Sequence, residues 1–139
     1  MKSITINQLK FAVSLLLLTI LFRFALSASL NDMQFTWVWV IAGLYALSVF
    51  ITAWIIGKMD YETLPLYDIG FKFHLITYLT CNLIAELWFL FGFQSRFENI
   101  KTVHYTALFW GIGLILHFII FLYTRKDSIK GIEKSEIFE

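Results

Sequence analysis

Charge is scarce in this chain. Its 139 residues include only 11 basic and 10 acidic side chains, 15% of the total, where a soluble domain carries about 25%. Too few charges remain to coat a water-soluble globule of this size. With 59% of residues apolar and 19% aromatic, disorder is excluded as well. A net charge of +1 supplies no field for nucleic acid, and that partner class is set aside. One cysteine rules out an intrachain disulfide and a multi-cysteine metal cluster. One proline and seven glycines leave little material for long loops. Motifs of catalysis are missing too: no HExxH pair, no glycine-rich phosphate loop and no serine elbow occur. What is present in quantity is long apolar sequence, and its pattern predicts an all-α integral membrane protein.

Four apolar stretches approach the roughly 20 residues needed to cross a hydrocarbon core. They run from about 11 to 30, 35 to 56, 73 to 93 and 103 to 124. Each is expected to be helical, because lipid does not tolerate unpaired backbone groups and no barrel-like alternation is visible. The short segments Asn31–Gln34 and Gln94–Thr102 pair the spans into two antiparallel hairpins, at about 11–56 and 73–124, within one membrane domain covering 1–139. Between them lies a loop, 57–72, with Pro65, Asp60, Glu62 and Asp68. The tail 125–139 is charged and balanced. Its Ile129, Ile132, Ile137 and Phe138 give it a short amphipathic face, although a solvated tail is the simpler reading.

Lys2, Lys10, Lys58, Lys72, Arg125, Lys126, Lys130 and Lys134 fall on one side of this arrangement, and only Arg96 and Lys101 on the other. The positive-inside rule therefore places both termini in the cytoplasm. Lys2, Lys10, the apolar run and Ala25-Leu26-Ser27 also resemble a secretory signal. Arg23 interrupts the end of that run, so a retained span is expected instead. A faint echo, Lys10-Phe11 against Lys72-Phe73, is too short to establish a repeat.

Polar groups at membrane depth are expensive and carry most of the functional information. His74, Tyr78, Asn82 and Glu86 recur every four residues, which builds a continuous polar row along one face of the third span. Such a row should face other helices or a cavity. Interhelical hydrogen bonding is the plain reading for Tyr78 and Asn82. In the fourth span Thr106, Trp110, Gly113 and His117 share a face by spacing, and Gly111 and Gly113 permit close packing. His74 and His117 both fall in the cytoplasmic half. Structural hydrogen bonding is the first expectation for them, with a proton-handling or ligand-binding pair as the alternative. No cofactor is expected on the first reading; haem b or a quinone head group held by His74 and His117 is the second. Arg23 and Glu86 lie at similar depth in the first and third spans, and an ion pair between them is the economical arrangement. Cys81 reads as a small apolar filler.

Phe71-x-x-His74-Leu75-x-x-Tyr78, followed by Asn82, Trp88 and Trp110-Gly111-Ile112-Gly113-Leu114-x-x-His117, resembles the bacterial two-transmembrane-helix (2TM) domain over about residues 67–126. The resemblance implies a helical hairpin with cytoplasmic ends, in a family found alone or attached to LytS-type histidine kinases. His74, Tyr78, Asn82 and His117 match its pattern; it transfers no catalytic residue. This chain adds an N-terminal hairpin and carries no kinase or LytTR-type domain. The expectation is a small non-enzymatic accessory or sensor-like protein of the bacterial inner membrane. It would meet the bilayer and either itself, as a homo-oligomer, or a larger membrane complex. A redox or proton-handling module using His74 and His117 is one alternative, and an oligomeric transporter or channel using Glu86 is another.

Overall fold

In a computed structural model, residues 4–60 and 66–130 are described, with side chains for 4–60 and 69–123. They form four helices and no strand: α1 (Ile6–Asn31), α2 (Phe35–Asp60), α3 (Leu66–Leu90) and α4 (Ile100–Lys130). All four are long and apolar enough to cross a membrane. At 1.5 Å per residue the 26-residue α1 spans about 39 Å, more than the roughly 30 Å of hydrocarbon it needs.

The helices outrun the hydropathy boundaries because their ends are built from polar capping groups that hydropathy does not register. Thr5 caps α1: its hydroxyl accepts from the Gln8 amide, and the Gln8 side chain accepts from the Thr5 amide, a capping box. Asn99 does the same for α4, accepting from the Lys101 amide. At its start α3 reaches back to Leu66, directly after Pro65 in the sequence, into the segment expected to be loop. Its far end comes early, at Leu90 instead of Phe93, because Gly92 turns left-handed (φ 73°). Phe93 N then donates to Trp88 O and Gly92 N to Phe89 O, the Schellman pattern. The same pattern closes α1 at Met33, whose φ of 56° is unusual for a residue with a Cβ. Replacing Met33 by glycine should therefore raise stability by about 0.5–1 kcal/mol. Denaturation in detergent would reveal this as a higher midpoint, and a lower one would refute the strain.

The helices lie in the order α2, α1, α3, α4 and do not close into a compact bundle. α1 packs on α2 and α3, α3 packs on α4, and α2 touches α3 only slightly; among the described residues α4 meets neither α1 nor α2. The central position of α1 shows in its buried residues Gln8, Phe11, Leu15, Thr19, Arg23 and Ser27, which recur every three or four positions along its length. Toward one end Phe11 and Leu15 join Ile69 and Phe73 of α3 in an apolar core, with Val49, Ala53 and Ile56 of α2 packed against it. The Phe11 and Phe73 rings stack at 4.5 Å.

Candidate functional site

Three features draw on the polar residues. The first is the seam between α3 and α4. His74 and His117 meet there with ring centres 5.0 Å apart, and the Phe71 ring lies nearly parallel to His117 at 6.1 Å. One turn on, the Tyr78 hydroxyl donates to Ala107 O, and its ring meets Trp110 edge-on. A Cβ at Gly111 would sit 3.2 Å from the Tyr78 hydroxyl oxygen, so the bare backbone there is what lets Tyr78 in. Asn82 donates to Tyr78 O within its own helix. Glu86 ends the row 3.0 Å from His104 Nε2, in a half-exposed pair. The four-residue row of α3 thus follows α4 along its length. Gly113 does not share in this packing: nothing comes within 4 Å of it. Two residues on a helix turn about 200°, and with Gly111 toward α3, Gly113 points away.

The second feature corrects the expected ion pair. Arg23 does not meet Glu86; its Nη2 lies 2.8 Å from Oε1 of Glu98, and both side chains are about nine-tenths buried. Glu86 belongs to the α4 side of α3, whereas Arg23 approaches from α1 on the other side, where Trp88 lies. The second oxygen of Glu98 accepts from the Ser27 hydroxyl and from the Ser95 amide, both at 2.7 Å. Trp88 Nε1 donates to Ser27 Oγ, and Ser95 Oγ donates to Asn31. Arg23 also lies over the rings of Trp88 and Phe89, at 5.6 and 5.9 Å. Its Nε finds no hydrogen bond among the described residues. Glu98 escaped the sequence reading because it stands in a connecting segment outside any span. The available signal was that it is an acid at the same end as Arg23, beside Ser27 one turn further along α1.

The third feature is an open trough of about 1020 Å³ between α1, α2 and α3, with Trp110 of α4 at its edge. Hydropathy offers no sign of it, since it opens where α2 and α3, both packed on α1, touch only slightly. Its polar contributors include Thr19, Tyr45 and Cys81, which satisfy one another. The Tyr45 hydroxyl lies 2.9 Å from Thr19 Oγ1 and 3.1 Å from Cys81 Sγ, and Thr19 donates to Leu15 O. Cys81 is thus a hydrogen-bonded member of a polar trio rather than a mere filler. His74 also opens onto the trough.

Among the described residues no group of three or more His, Cys, Asp or Glu side chains is placed to hold a metal. The two histidines bear on the haem reading through their spacing. Two imidazoles bound on opposite faces of one iron hold their ring centres about 6 Å apart, given metal–nitrogen bonds of about 2.0 Å. At 5.0 Å the rings touch, and a porphyrin would have to part them. These features define a four-helix protein, its helices long and apolar enough to cross a membrane, with a polar seam between α3 and α4, a buried ion pair and an open apolar groove. No family model matches the chain, and neither a curated protein nor a solved structure matches it.

Proposed function

We propose that the protein is a small, non-enzymatic component of the bacterial cytoplasmic membrane. Both termini lie in the cytoplasm, and it works by lateral helix contacts with itself or with a larger membrane complex. The observation that carries this reading is the one-sided support of α4, which among the described residues packs on α3 alone. Its opposite face presents Phe109, Ile112, Leu116 and the uncovered Gly113. A glycine open on an apolar helix face lets a second helix come close, the geometry that drives association where no hydrophobic gain is available. The positive-inside bias supports the orientation, and the 2TM-like motifs over 67–126 support the bacterial assignment.

The transporter alternative finds less support. Glu86 and Arg23 stand on opposite sides of α3, each already paired, so they do not line one path. The haem alternative requires the histidine rings to separate. A quinone remains compatible with His74 on the trough wall.

Cross-linking in native membranes tests the proposal. Cysteine at Gly113 in a Cys81→Ala background should yield a product containing a second polypeptide. Cysteine at Leu44, on the far side of the row, should not. Only uncross-linked chain at position 113 would sink the reading.

A further inference from the structure

The trough has a polarity that runs along its length. Gly57, Lys58, Ile69 and Gly70 stand at one end, and Tyr45, Cys81 and Trp110 toward the other. A Cβ at Gly57 would lie 3.9 Å from Ile69 Cγ2, which sets α2 and α3 level there. From Ile69 to Cys81 twelve residues of α3 cover about 18 Å, close to the roughly 15 Å depth of one leaflet's hydrocarbon. The Lys58 ammonium stands at the mouth, 5.0 Å from the centre of the Trp54 ring. Five residues inward from Ile69 comes His74, about 8 Å deeper along the helix, and beyond it the walls are aromatic and aliphatic. At the inner end the hydroxyls and thiol are already bonded to one another, so they demand nothing polar from an occupant.

We propose that the trough seats one chain of an anionic phospholipid from the leaflet at the Lys58 end. Its phosphate lies at the Lys58 ammonium, and its ester groups lie at the depth of His74. A cation, then a hydrogen-bonding side chain, then apolar wall is the order in which a phospholipid presents its own groups. Among the described residues at this end, the acid Asp60 is buried, and its two oxygens accept from Thr5 and Asn7, which turns its carboxylate toward the α1 terminus. The volume, about 1020 Å³, lies just above the range for pockets that bury a small molecule, about 300–1,000 Å³. The site lies among α1, α2 and α3 and does not depend on the partner face of α4, so either proposal can fail alone.

Native mass spectrometry of the full chain, delipidated in detergent and titrated with phosphatidylglycerol or phosphatidylcholine, provides the test. The wild type should retain one phosphatidylglycerol per chain, about fivefold more tightly than phosphatidylcholine, as expected of a single lysine at a membrane surface. Lys58→Gln, at an exposed position that does not threaten folding, should abolish that preference. Ala46→Phe, which fills open space on the trough wall, should weaken both lipids. Equal affinity for the two lipids in the wild type, a preference that survives Lys58→Gln, or binding indifferent to Ala46→Phe would each overturn the assignment. Stoichiometric displacement of the retained lipid by a long-chain 1,4-quinone would overturn it too, and give the trough to a quinone.

Discussion

Glu98→Gln should cost the protein about 3–5 kcal/mol, while Glu86→Gln should cost less than about 1 kcal/mol. The two acids differ in surroundings more than in chemistry. Glu98 is about nine-tenths buried against Arg23, and its loss leaves a buried guanidinium facing two aromatic rings with no counter-charge. It also weakens what docks the 91–99 segment on α1, since the same carboxylate accepts from Ser27 and from the Ser95 amide. Glu86 and His104 form a half-exposed pair near the ends of their helices, where either group can find other polar company. Unfolding in detergent, followed by tryptophan fluorescence, would measure both. Trp88 itself donates into the network, so its emission should shift as the network opens. Removing both charges together, Arg23→Leu with Glu98→Leu, should recover much of the single-variant loss. Equal costs at positions 86 and 98 would show that the buried pair holds nothing together.

That prediction rests on a partner the sequence did not reveal, and the reason is physical. Hydropathy reads each helix against lipid, and it located all four helices because each is long and apolar with little of its span buried in the protein. It is silent about azimuth, the direction a residue faces around its helix. Four-residue spacing did place His74, Tyr78, Asn82 and Glu86 on one face, and the structure sets that face against α4. The same spacing could not say that Arg23 approaches α3 from the opposite side. Depth alone made Glu86 look like its partner. Spacing put Gly113, and not Gly111, on the face of Trp110 and His117, yet only Gly111 meets a neighbour. The trough was invisible for a further reason: it is a consequence of which helices barely touch. Helix ends were misplaced by a few residues wherever a cap decides them, as Gly92 does for α3.

Leu15→Ala should be the most damaging aliphatic truncation, at about 3 kcal/mol, and Leu44→Ala on α2 should be nearly neutral. Leu15 has no exposed surface, and it lies where α1 is clasped between α2 and α3, with Phe11, Ile69 and Phe73 in the same cluster. In water such a change costs about 2–5 kcal/mol through lost transfer energy and the cavity left behind. In a bilayer the transfer part shrinks, because lipid is as apolar as the core. What persists is the loss of dispersion contacts around a void that lipid cannot reach. Leu15 does not border the trough, unlike its neighbour Phe11, so no acyl chain can refill its space. Phe11→Ala would instead widen the trough, and a seated lipid chain could take up part of the volume. Its cost should therefore depend on added phospholipid, while that of Leu15→Ala should not. Leu44 is 60% exposed, and its truncation exchanges lipid contact for lipid contact. Denaturation midpoints of the three variants, with and without phosphatidylglycerol, would separate the sealed core around α1 from the open groove beside it. A lipid-dependent loss at Leu15 would mean that the core is not sealed.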